Sequence, residues 1–230
     1  GDYPDNAERF IYFSRSILEV CKHINFFPDI IHCNDWQTGL VPIYLRQFYR
    51  DDPVFAQAAS VYTVHNLGYQ GLFWHYDMHL TGLGWELFTP DGLEYYGKIN
   101  VMKGGLLWAD VISTVSKTYS QEIQTLEYGH GLEGVLQYRS DDLYGIVNGV
   151  DYSIWNPEVD PLIAQKYSPK ALAGKTACKK DLLKEFELPI HMNWPIIGMI
   201  SRLDNQKGFD LIAEIIDKMM PVPSVFARPA

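Results

Sequence analysis

Short apolar runs alternate with amphipathic stretches along most of the chain, and this alternation sets the first expectation. Over residues 5–24 the positions Phe10, Phe13, Ile17, Leu18, Cys21 and Ile24 recur at helical spacing, and Asp5 with Glu8 has the spacing of a capping box. Residues 29–33 then read as a buried strand. Asn34 and Asp35 open a second helical stretch that runs through Leu45, where Pro42 is tolerable because it lies near the start. Residues 59–64, 110–115, 143–147 and 195–200 read as further short strands. Residues 100–109, a segment from Lys117 capped by Ser116, residues 172–186 and residues 209–219 read as helices. Short buried strands alternating with helices predict parallel βαβ units, an α/β fold with a doubly wound parallel sheet.

The same pattern divides the chain. Residues 1–150 carry most of the βα rhythm and are expected to form a first domain. Residues 151–194 hold Trp155, Pro157, Pro161 and Pro169 and read as a connection; a fresh βα unit, the start of a second domain, occupies residues 195–230. The tail 221–230 has three prolines and no periodicity, so it is expected to lie outside the fold, as disorder or an artefact of the reading frame.

Composition narrows the function classes. The chain has 230 residues, 47% hydrophobic and 20% charged, which excludes a disordered or collagen-like polymer. Nineteen Lys and Arg against 28 Asp and Glu leave a net charge of −9 with the cations scattered, so no nucleic-acid surface is expected. No apolar run is long enough to span a membrane, and no leader pattern is visible. Three widely spaced cysteines form no C-x-x-C pair, which favours a reducing compartment such as the cytoplasm, or the plastid stroma of a plant.

Candidate chemistry then falls on four places. Residues 129–134, Gly-His-Gly-Leu-Glu-Gly, satisfy G-x-G-x-x-G but follow a helical stretch, the wrong context for a dinucleotide fingerprint; a glycine loop is the better reading. His75 and His79 stand four apart without a third ligand or an H-E-x-x-H context, and no D-x-D occurs, so no metal site is expected. The loop Ser201-Arg202-Leu203-Asp204-Asn205-Gln206-Lys207-Gly208 lies between a strand and a helix, a place where backbone N–H groups favour an anion. Arg202 offers a planar fork and Lys207 a mobile point charge, enough to neutralise a diphosphate without a metal; Gly208 allows close approach. Asp35-Trp36 and His65-Asn66 follow successive strands, the edge where open α/β sheets bind ligands. Asp35 and His65 suit sugar hydroxyls, and Trp36 or Tyr69 offers an aromatic face. Each taken singly also reads as an ordinary cap or core residue.

These stretches resemble the bacterial and plant glycogen (starch) synthases. The matching residues are 31–40 (Ile-His-Cys-Asn-Asp-Trp-Gln-Thr-Gly-Leu), 63–71 (Thr-Val-His-Asn-Leu-Gly-Tyr-Gln-Gly), 129–134, 148–151 (Asn-Gly-Val-Asp) and 201–208. The resemblance implies a retaining glycosyltransferase of the GT-B type, with two Rossmann-like domains. Its reaction would pass glucose from ADP-glucose to the non-reducing end of an α-1,4-glucan, with no metal or other cofactor. Arg202 and Lys207 match the pair that grips the donor diphosphate. His65 matches the histidine beside the donor glucose, with Gly208 and Asn148 also on the donor side. Asp35 matches the acid near sugar and acceptor, where Trp36, Asn66, Tyr69 and Gln70 are further expected contacts. The family's N-terminal K-x-G-G-L loop and its C-terminal acidic and glycine-rich segments have no match here, so the resemblance implies half an active site. Two other readings stay open: a sucrose-synthase-like transferase, and a non-catalytic glucan-binding fragment.

Overall fold

The computed structural model describes residues 3–219 and 225–227, which fall into two compact units, Gly1–Asn148 and Gly149–Ala230. In the first, α1 (Asn6–His23) leads into β1 (Ile30–Asn34), a 3₁₀ turn at Trp36–Thr38 and α2 (Val41–Gln47), followed by β2 (Ala59–Val64). Next come β3 (Leu72–Trp74), α3 (Met78–Thr81), β4 (Glu94–Tyr95), β5 (Lys98–Asn100), α4 (Val101–Trp108) and β6 (Val111–Thr114). The unit closes with α5 (Lys117–Glu122), α6 (Glu133–Tyr138) and β7 (Leu143–Gly145).

The main sheet is parallel throughout, in the order β1-β2-β6-β7, with Asn34 opposite Thr63 and Thr63 opposite Ser113. Its strands are the short apolar runs of the sequence: Cys33, Tyr62, Val64 and Ile112 are all at most 2% exposed. Helix α4 rests directly on β2, its Gly105 against the ring of Tyr62. Residues Val41 to Leu45 of α2 and Val101 to Leu106 of α4 are buried throughout, and α1, α2 and α4 pack in succession. Asn100 caps α4 by accepting from Lys103 N–H at 3.0 Å, and Ser116 caps α5 by accepting from Tyr119 N–H at 2.9 Å. The far end of α4 is tied off from a distance. The Arg139 guanidinium donates to the carbonyls of Leu106, Leu107 and Ala109 at 2.7–2.9 Å and pairs with Asp142.

Two expectations need correction, and one element was not foreseen. The capping box at Asp5 does not form, because its carboxylate caps nothing and lies 3.9 Å from Arg9 instead. The buried stripe of α1 is Ala7, Ile11, Ser14 and Leu18, rotated from the predicted one and leaving Phe13 and Ile24 exposed. Finally, residues 72–100 carry a second, antiparallel sheet in the order β3-β5-β4.

In the second unit, α7 (Gly174–Glu185) buries Leu183 and precedes β8 (Ile196–Gly198), a 3₁₀ turn at Asn205–Lys207 and α8 (Phe209–Met219). Tail residues Val225–Ala227 form β9, parallel to β8 with Ile196 opposite Val225. The expectation that the tail lies outside the fold fails at those three residues, because the partner strand supplies what a local pattern cannot show. Residues 221–224 and 228–230 lie outside the described residues.

Candidate active site

The carboxyl ends of β1 and β2 lie side by side, and the residues that follow them are bonded into one corner. The Asp35 N–H donates to the Thr63 carbonyl at 2.9 Å, while Asp35 Oδ1 accepts from the His65 N–H at 2.7 Å. His65 Nε2 is 3.0 Å from Asn34 Oδ1. The Asn34 peptide is clasped by Thr38, whose hydroxyl takes its N–H at 2.7 Å and donates to its carbonyl at 2.9 Å. Asp35 holds φ 55°, a left-handed conformation unusual for a non-glycine residue, maintained by bonds on both sides of it.

Behind this corner a polar chain crosses three strands. His32 Nε2 meets the Thr63 hydroxyl at 2.7 Å, which meets the Ser113 hydroxyl at 2.6 Å. Deeper still, Tyr62 is fully buried and its hydroxyl has no hydrogen-bond partner among the described residues. Burial, and next the charge of Asp35, push that phenol well above its usual range, so it stays neutral.

The loop 65–71 carries the remaining first-unit candidates, and they separate into exposed and packed groups. His65 and Tyr69 are exposed, Tyr69 at 47%. Asn66 is half-buried and its Oδ1 accepts from Gly68 N–H, an Asx turn. The Trp36 ring is half-buried between Phe10 and Phe73, with centroids at 4.7 and 5.6 Å. Gly71, at φ +65°, lies so close to that ring that an added Cβ would come within 2.5 Å of Trp36 Cε3. Trp36 is therefore a packing residue beneath the loop, not an open sugar platform. Gln70 is 7% exposed and its amide is bonded at both ends, so it too faces inward. Asn148 is exposed at the end of the unit.

In the second unit, Arg202 and Lys207 are both exposed on the loop that leaves the carboxyl end of β8 and enters α8. Asp204 shapes its turn, taking Gln206 N–H on Oδ1 at 3.0 Å and Lys207 N–H on its carbonyl at 2.9 Å. Gly208 takes φ +70°, a conformation that costs an L side chain roughly 1–2 kcal/mol. The backbone then passes into α8, where the Ile212 N–H bonds the Gly208 carbonyl.

The other motifs resolve simply. The glycine loop 129–134 follows α5 rather than a strand and enters α6. His75 Nδ1 meets the Gly97 carbonyl at 3.2 Å, and His79 Nδ1 meets that of Tyr76. Among the described residues no group of three His, Cys, Asp or Glu side chains could hold a metal ion. The cross-strand pair Thr63–Ser113, 50 residues apart, had no signal in the sequence.

Residues 1–138 match the family model of the starch synthase catalytic domain, and the chain belongs to that family, a family of glycosyltransferases with the GT-B fold. It is 54% identical over 219 residues to glycogen synthase 2 of Geobacter sulfurreducens, covering 95% of this chain and 45% of that protein. The glycogen synthase of Koribacter versatilis is 51% identical over 226 residues, 98% of this chain and 46% of that protein. Among solved structures, the catalytic domain of starch synthase IV from Arabidopsis thaliana, bound to ADP and acarbose, matches with TM-score 0.89 at 34% identity. That match covers 99% of this chain and 47% of the other. The chain thus spans about half the length of these relatives.

Proposed function

We propose that this chain forms part of a retaining glucosyltransferase that passes glucose from ADP-glucose to the non-reducing end of an α-1,4-glucan. The observation that carries the reading is the position of the two motif loops. Asp35 and His65 follow adjacent parallel strands of one α/β unit, and Arg202 and Lys207 follow a parallel strand of the other. The ADP and acarbose bound to the Arabidopsis relative are a nucleotide and an oligosaccharide, which suits that division of labour.

In this reading Arg202 and Lys207 hold the donor diphosphate, and Gly208 lets it approach the backbone. As the glucose–phosphate bond breaks, negative charge grows on the departing ADP, and cations aimed there stabilise the transition state more than the ground state. His65, with its backbone fixed by Asp35, bonds the glucose hydroxyls; Asn66 and Tyr69 face the sugar side and Asn148 the donor side. The cation pair takes the part a metal plays in other nucleotide-sugar enzymes, so activity is expected to survive EDTA. The working compartment is read as the cytoplasm, or plastid stroma in a plant, since all three cysteines are free thiols.

The test is ADP release and radiolabelled glucose incorporation into glycogen by a full-length synthase carrying this sequence. Activity with EDTA present supports the reading. Glucan affinity without turnover would leave a binding module, transfer to fructose alone would point to a sucrose-type enzyme, and activity lost to EDTA and restored by Mg²⁺ or Mn²⁺ would end the cation-pair account.

A further inference from the structure

Three segments far apart in sequence meet at one buried amide. Gln70 ends the loop that begins at His65. Its Oε1 accepts from Asn100 Nδ2 at 2.7 Å, and its Nε2 donates to the His130 carbonyl at 3.1 Å. The orientation of both amides is fixed by their partners. Asn100 Oδ1 is occupied by the Lys103 N–H, so its Nδ2 must face Gln70, and Gln70 must present its own oxygen there and its NH₂ to the carbonyl. Asn100 is fully buried. The Gln70 and Gly71 carbonyls in turn accept from Met102 and Val101 N–H at 3.0 and 3.2 Å, joining the loop to the first turn of α4.

The carbonyl at the far end belongs to the glycine loop 129–134, which is held in an unusual shape. His130 has φ 48° and Gly131 φ 78°, and the Tyr95 hydroxyl donates to the same His130 carbonyl at 2.7 Å. A non-glycine residue in the left-handed region persists only where its surroundings over-determine it, and here two donors converge on one oxygen. The His130 side chain is exposed.

We propose that Gln70 is a positioning residue for the transfer reaction. Its amide locks the His65 loop and the glycine loop 129–134 to each other, so that the sugar-contacting backbone is fixed before substrate arrives. This rests on the function proposed above, and it replaces the direct sugar contact expected of Gln70 from the sequence. The chemistry requires a group that accepts on one side and donates on the other, which a glutamine amide does and a carboxylate does not.

Gln70→Glu tests this with almost no change of shape. An ionised carboxylate keeps the Asn100 bond but turns an oxygen toward the His130 carbonyl oxygen; a protonated carboxyl restores the donor. In a full-length synthase carrying this sequence, kcat of Gln70→Glu at pH 8 is expected to fall at least tenfold, with KM for ADP-glucose within about twofold. The deficit relative to the parent enzyme should shrink several-fold as pH is lowered toward 5.5. Tyr95→Phe, which removes the second donor to the same carbonyl, should cost less, and the double variant should lose less than the product of the two. A parent-like kcat at pH 8, or a deficit that does not change with pH in the soluble, folded variant, would overturn the proposal. If the parent enzyme itself transfers no glucose, the functional reading fails instead, a result distinguishable from either outcome for Gln70.

Discussion

The loop after β2 and the loop after β8 occupy equivalent places at the ends of parallel strands, but they are held in different ways. The first is bonded at its start through Asp35 and at its finish through Gln70, over the half-buried Trp36 ring and a chain of cross-strand hydroxyls. The second is exposed, shaped by Asp204 and one left-handed glycine, and its two cations extend from it. The difference suits the tasks proposed for them. Recognising a sugar hydroxyl needs donors and acceptors within tenths of an ångström, which demands a rigid support. Stabilising a diphosphate by charge falls off only slowly with distance, so a flexible cation on an open loop suffices.

The most drastic way to break this comparison is to test the two loops without the remainder of a synthase. This chain alone is expected to transfer glucose at least about 10³-fold more slowly than a full-length synthase, because positioning contributes roughly 7–11 kcal/mol to such reactions. Radiolabelled incorporation near the full-length rate would show that the two loops suffice.

Next in size is Lys207→Ala in the full-length background. Loss of one oxyanion-stabilising donor costs about 2.7–4 kcal/mol, or roughly 10²–10³ in kcat. Lys207→Arg should rescue only in part, since a planar fork does not reproduce a compact ammonium. His65→Ala should leave inhibition by ADP nearly unchanged. A loss below about threefold for Lys207→Ala, roughly 0.7 kcal/mol, would return the loop to a solvated basic turn.

Two glycines sharpen the contrast in stability. Gly71 and Gly208 have nearly the same φ, +65° and +70°, but a Cβ on Gly71 meets Trp36 at 2.5 Å while one on Gly208 meets Leu211 at an ordinary 3.6 Å. Both alanine variants bear the left-handed cost of roughly 1–2 kcal/mol, and Gly71→Ala adds overpacking of roughly 1–3 kcal/mol. Urea unfolding of the two variants should rank them in that order; equal losses would mean that the first loop is no tighter than the second.

The smallest effect concerns Cys33, 2% exposed in β1, whose thiol is pushed up by burial from about 9.0 to about 12. The folded state keeps its proton in a range where the unfolded chain loses it. Stability from this group is therefore complete below pH 9 and drains away as pH rises toward 12. Iodoacetamide mapping near neutral pH should label the part-exposed Cys21 and Cys178 well before Cys33.

How far the sequence foretold all this varied with the physics of each element. Residues Ala59–Val64 were legible because Val61, Tyr62, Thr63 and Val64 are β-branched or aromatic, the residue types that suit a strand packed on its faces. The strands of the small sheet are two or three residues long, too short for an alternation to show, and Trp74 on one of them is 62% exposed. At the site, strand-end logic placed Asp35, His65, Arg202 and Lys207 just past the carboxyl ends of parallel strands, where the structure has them. It could not tell that Trp36 and Gln70 face inward, since packing against Phe73 or bonding to His130 depends on partners 37 and 60 residues away.

The Arg139 guanidinium has a consequence for the order in which the chain assembles. During synthesis α4 emerges with the carbonyls of Leu106, Leu107 and Ala109 lacking the donor that closes them in the finished fold, and that donor arrives some 30 residues later. The region shared with the family model stops at residue 138, one position short of it. A piece cut at that boundary would keep α4 and β6 but leave the helix end to fray in water. One cut after Asp142 would retain both Arg139 and the carboxylate that holds it, so that α4 stays closed at both ends.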